Sequence, residues 1–125
     1  MIARLWHGWT TPGNADVYES LLRTEVFPGI LAKNVAGLRS IELLRRPSAD
    51  EVEFVTIMRF DTLEAVKAFA GADYETAYVP PAARAVLSRF DATSQHYEIK
   101  EERAGANAEK ADGDSERLQE DRTLS

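Results

Sequence analysis

The chain has 125 residues, 44% of them hydrophobic, with 15 Lys and Arg against 21 Asp and Glu, values that fit one globular domain with a single core. Residues 101–125 carry −4 of the net charge of −6 and residues 1–100 only −2, so neither part has the basic footprint of a nucleic-acid binder. The absence of cysteine excludes disulfides, a thiol nucleophile and thiolate metal sites, and without an apolar run of ~18 residues or a signal-peptide pattern the expected setting is the cytoplasm, away from membranes.

Ile2 to Trp9 alternates as a β-strand does, until Thr10-Thr-Pro-Gly13 breaks it. Asn14 is placed to cap a helix whose apolar stripe is Tyr18, Leu21, Leu22 and Val26, and Pro28-Gly29 is expected to kink or interrupt that helix. Leu38 to Arg46 reads as a second strand and Glu51 to Phe60 as a third, joined as a hairpin through Pro47-Ser-Ala-Asp50. At Phe60 the apolar period changes from two to about 3.6. Asp61 and Glu64 have the spacing of a capping box, Leu63, Val66, Phe69 and Ala70 form the stripe of the next helix, and Gly71 sits at its C-terminal cap. Residues 72–81 read as loop, Pro81 opens a short helix from Ala82 to Leu87, and Phe90 to Ile99 is the last strand. Beyond Lys100 the only large apolar residues are Leu118 and Leu124, so residues 101–125 are expected to be a disordered or at most loosely helical acidic tail after a domain of residues 1–100.

The order β-α-β-β-α-β predicts an α+β ferredoxin-like sandwich with an antiparallel four-stranded sheet. Right-handed crossovers put both main helices on one face of that sheet. The compact set Ala3, Leu5, Ile41, Leu43, Val55 and Ile57 suits the face beneath the helices. The alternate set, including Arg4, Trp6, Ser40, Glu42, Leu44, Phe54, Thr56, Met58 and Phe60, with Ser94 and His96, is then left uncovered. Such an apolar face calls for a second subunit or a ligand cavity, and a homodimer through it is the expectation. A register error of one residue would invert every one of these assignments.

Three segments resemble the antibiotic-biosynthesis-monooxygenase-like domains of the dimeric α/β-barrel superfamily: Ile2-Ala-Arg-Leu-Trp6, Glu53 to Phe60 with the helix Leu63 to Ala70, and Ser88-Arg-Phe-Asp91 leading to His96-Tyr97-Glu98. The resemblance covers about residues 1–100. It implies that two copies complete a dimeric α/β barrel. It also implies a monooxygenase that needs no metal or other cofactor and acts with dioxygen on a small aromatic or quinol-type substrate. The haem-degrading members typically use an Asn in the first strand, a Trp and a helical His. Here the first strand offers Arg4, Trp6 and His7 without an Asn, and the segment 82–89 has no His, which weighs against haem degradation.

Under that reading His96 is the candidate base, because imidazole titrates near neutrality, and Arg4 is the candidate group to stabilise a phenolate or enolate. Trp6, Phe54, Thr56 and Met58 are the candidate substrate contacts, with Glu42 facing the same site as a partner for Arg4. Tyr74, Tyr78 and Tyr97 offer hydroxyls near the loops and the last strand, and His7 belongs at the rim on the face opposite Trp6. Two histidines about ninety positions apart have no metal-ligand spacing, and neither a phosphate loop nor a nucleophile elbow is present. A non-catalytic ligand-binding or interaction module, or an isomerase or lyase on the same fold, is the competing expectation.

Overall fold

The computed structural model describes residues 1–106. The expectation for residues 107–125 therefore lies outside the described residues. The elements are β1 (Ile2–Thr10), a 3-10 turn (Pro12–Asn14), α1 (Ala15–Leu21), a π turn (Leu22–Val26), α2 (Phe27–Ala32), β2 (Leu38–Pro47), β3 (Val52–Phe60), α3 (Leu63–Ala70), α4 (Pro81–Val86), β4 (Arg89–Phe90) and β5 (Gln95–Glu98). The sheet order is β2-β3-β1, with β4 and β5 both on the free edge of β1, and every pairing is antiparallel. This is the expected ferredoxin-like α+β arrangement, with the last strand in two pieces. The pairing frame slips by two residues between Gly8↔Phe90 and Leu5↔Gln95. The segment between those pairs turns away to bond the preceding loop instead, with Ala77 N–H donating to Ala92 O at 2.9 Å and Ser94 N–H to Glu75 O at 2.8 Å.

Pro28 does not end the first helix. α1, the π turn and α2 run on with right-handed helical backbone at their junctions. The π turn, in which Phe27 N–H reaches back to Leu22 O, lies directly before the proline and absorbs its misfit with the regular ladder. Asn14 gives α1 no side-chain cap; its Nδ2 donates to Val86 O at 3.3 Å and ties α1 to α4. The cap of α3 is Thr62, whose Oγ1 accepts from Ala65 N–H at 3.1 Å, not Asp61. Asp61 is instead held by Arg39 through two hydrogen bonds of 2.7 and 2.6 Å. Gly37 adopts φ +91°, and a Cβ there would lie 2.8 Å from the Cβ of Ala65, so glycine lets the start of β2 pass close against α3.

The helices cover the face opposite to the one expected for β1 and β3. Phe54 and Phe60 are wholly buried; Phe54 meets Tyr18 edge-on at 4.8 Å and Phe60 packs on Phe69 at 5.7 Å. Residues directly opposite in an antiparallel ladder share a face, so Met58 brings Arg4 and Ile41 with it, and Thr56 brings Trp6 and Leu43. Ile41 and Leu43 thus lie under the helices as expected. Ala3, Leu5, Val55 and Ile57 do not: they form the open face with Ser40, Glu42 and Leu44. The correction has a plain cause. Alternation sorts a strand into two sets but carries no sign, and here both sets are apolar.

Buried side chains on the covered face form two clusters. One gathers Ala15, Tyr18, Leu22, Val52, Phe54, Val79 and Ala83; the other gathers Met58, Phe60, Ala65 and Val66. Among the described residues no helix is long and apolar enough to cross a membrane.

Candidate functional site

Thr56 stands on β3 between Phe54 of one cluster and Met58 of the other, and the short side chain leaves the two halves of the core unjoined. The gap is a cavity of about 120 Å³, partly open to solvent. Its sheet side includes Arg4, Trp6, Thr56 and Met58, its helix side includes Tyr18, Phe27 and Phe69, and the loop before α4 contributes Tyr78 and Val79. A cavity of ~150 Å³ accommodates a benzene ring. This one is somewhat smaller, so a single ring fits by extending through its open side.

Trp6 is fixed by the split in the last strand. Its indole N–H donates to Asp91 O at 2.8 Å, and Gly8 makes room for the ring, since a Cβ there would stand 3.0 Å from the indole. Asp91, whose N–H still donates to His7 O of β1 at 3.0 Å, thus orients the largest aromatic wall of the cavity at the point where the strand leaves β1.

Arg4 supplies the main electrostatic feature. It is 8% exposed, and among the described residues no carboxylate pairs with it. Burial lowers its pKa, the mark of a cation removed from water without compensation. One guanidinium nitrogen, Nη1, donates to Tyr74 O at 2.6 Å and lies 2.9 Å from His96 Nε2. A guanidinium only donates, so Nε2 is the acceptor and the proton of the neutral imidazole sits on Nδ1. His96 also packs edge-on against the Tyr74 ring at 5.1 Å. Burial, and then the charge of Arg4, hold the His96 pKa below its ordinary value, against an opposing pull from Glu75.

Four of the residues singled out from the sequence therefore meet in one place: Arg4, Trp6, Thr56 and Met58 line the cavity, and His96 touches Arg4 from just behind it. They do so beneath the helices, not on the uncovered face. Phe54 is core under Tyr18 rather than a wall of the cavity. Glu42 lies on the open face, where its carboxylate is 3.9 Å from Arg59, so it does not partner Arg4. Of the tyrosines, Tyr78 lines the cavity, Tyr74 contributes its backbone carbonyl to Arg4, and Tyr97 is exposed on the open face. His7 is also on that face, 3.4 Å from Asp91.

The walls contributed by Phe27, Phe69 and Val79 were not anticipated. Phe27 reaches the cavity at the end of the π turn, whose extra residue sets the helix phase back relative to a regular 3.6-residue count. The only signal for it in the sequence is Pro28, one residue later. Among the described residues no group of three or more His, Asp or Glu is placed to hold a metal ion.

The fold and cavity define an α+β ferredoxin-like domain with a pocket between sheet and helices. Solved structures of low sequence identity share this fold. A Bacillus cereus protein assigned as an antibiotic biosynthesis monooxygenase matches with a TM-score of 0.62 at 17% identity, covering 83% of this chain and 97% of that one. The haem degrader MhuD of Mycobacterium tuberculosis, solved with two haems in its active site, matches with a TM-score of 0.55 at 16% identity, over 83% of this chain and 100% of that one. Rv0793 of Mycobacterium tuberculosis gives 0.53 at 18% identity, over 82% and 98%. No family model and no curated protein matches the chain.

Proposed function

We propose that residues 1–100 form a small-molecule oxygenase domain whose cavity binds a one-ring-wide aromatic substrate, with Arg4 holding its acidic group as the anion, and uses dioxygen without an added cofactor. The observation that carries this reading is a buried arginine, free of any carboxylate among the described residues, on the wall of an aromatic cavity. A nearby cation favours the ionised form of a bound acid and so anchors the substrate; the electron passed to dioxygen comes from the electron-rich ring itself, once a ring hydroxyl has lost its proton. For a one-ring phenol with a free para position, the balance is the ring C–H and the O–H plus O₂ giving a para-quinone plus water. The cavity's part is to orient the substrate and exclude water. A tetrapyrrole is far larger than the space between the two core clusters, so haem is not the ligand this cavity suits.

Oxygen uptake with a panel of quinols, hydroxybenzoates and anthrones, read together with ¹⁸O incorporation from ¹⁸O₂, tests the proposal. Uptake is expected with at least one of these and should be lost in Arg4→Met. Silence across the panel while the same compounds bind would sink the oxygenase and leave a binding module. One observation favours that second reading. The lone pair of His96 Nε2 is already engaged by Arg4, and no Asp, Glu or His lines the cavity among the described residues.

We also infer that the open face pairs two copies of the chain. Leu5, Val55 and Ile57 are only partly covered there, and Leu44 and Tyr97 are 45% and 56% exposed. Exposed large apolar side chains gathered on one sheet face are uncommon on a monomer.

A further inference from the structure

The guanidinium of Arg4 is used on one side only. Nη1 spends its two hydrogens on Tyr74 O and His96 Nε2, while Nε and Nη2 have no hydrogen-bond partner among the described residues. Neither is enclosed: the enclosed side-chain polar atoms without a partner there are His7 Nδ1 and Thr10 Oγ1. The Nε–H and the adjacent Nη2–H form the planar fork that accepts two carboxylate oxygens side by side. A phenolate, with one oxygen, fills only half of it.

The fork is also held in place. Two acceptors, from the loop before α4 and from β5, grip Nη1, and the Phe69 ring lies 5.8 Å from the guanidinium carbon. A long side chain fixed this way loses little freedom when a ligand arrives. Trp6, Tyr18, Phe27, Phe69 and Tyr78 line the same cavity as Arg4, so the rest of a ligand held there is flat and apolar.

We propose that the acidic group Arg4 recognises is a carboxylate, bound through the Nε/Nη2 fork, and that the ligands of this cavity are small aromatic carboxylic acids. This rests on the reading of the cavity as a ligand site and narrows its substrate class. His96 acts here as a positioning residue, a neutral acceptor that points the free edge of Arg4 at the cavity.

The test is equilibrium binding by calorimetry at pH 8, with no dioxygen chemistry involved, using benzoate, benzamide and phenol on the full chain. The expected result is benzoate tighter than benzamide by about tenfold or more, the return for two charge-assisted hydrogen bonds that the amide cannot reproduce. Arg4→Met should erase the preference and leave phenol binding in place. Arg4→Lys, which keeps the charge but not the fork, should retain only part of it. The comparison of the three ligands on the unaltered protein does not depend on any variant folding. Benzamide or phenol binding as tightly as benzoate overturns the carboxylate assignment while the cavity remains a ring site. Failure of all three to bind overturns both.

Discussion

Truncating Phe54 to alanine tests the assignment of sheet faces on which the site depends. Phe54 has no exposed surface, meets Tyr18 edge-on at 4.8 Å and carries Arg45 over its ring at 5.7 Å. Removing a fully buried phenylalanine costs about 3–5 kcal/mol, of which the aromatic pair accounts for about 0.5–1.5 kcal/mol. Against a total of about 5–15 kcal/mol for a domain of this size, the variant should fold but be greatly weakened. With a urea slope of about 2 kcal/mol per M, the unfolding midpoint should fall by about 2 M. Val55→Ala, one residue along and partly exposed on the open face, removes far less buried surface and should move the midpoint by about 0.5 M or less. Urea melts followed by far-ultraviolet circular dichroism at low micromolar protein measure both. If the two shifts came out in the reverse order, Phe54 would belong to the open face. The cavity built on Arg4, Trp6 and Thr56 would then have no basis.

Stability should fall as pH drops below about 6.5, because the His96 pKa is lowered in the fold: the unfolded chain binds the proton first, so acid favours it until the folded value is also passed. His96→Gln should flatten the difference between unfolding midpoints at pH 8 and pH 5.5, and an unchanged difference would mean that His96 is not the titrating group. Leu44→Arg tests the dimer: Leu44 is 45% exposed in the single chain and stands opposite Val55, so the variant should keep its melting behaviour at low concentration and sediment as a monomer. A monomeric unaltered protein at tens of micromolar would remove the dimer proposal.

Much of the architecture follows from local pattern. The change of period at Phe60, the turn at residues 47–50 and the proline at 81 mark element ends through steric and hydrogen-bonding limits that act within a few residues, and the elements lie where those limits put them. The parity within each strand is equally local: Phe54, Thr56 and Met58 share one face of β3 and Arg4 and Trp6 one face of β1, and the pairing register puts the two sets on the same side. That is why four of the seven residues singled out as site candidates come together in the cavity.

Tertiary structure decided which parity the helices cover. On β3 the competing sets, Phe54 with Met58 and Val55 with Ile57, are both apolar, so burial preference within the strand does not choose between them. Tyr18 and Phe69, brought down by the helices, choose the first. The chemistry of Arg4 was decided in the same way. Its charge is a property of the residue, but its isolation from carboxylates and its free Nε/Nη2 edge arise because Tyr74 and His96, 70 and 92 positions away, close on Nη1. Contacts at such separations depend on how helices and loops return to the sheet, and no periodicity along the chain records them.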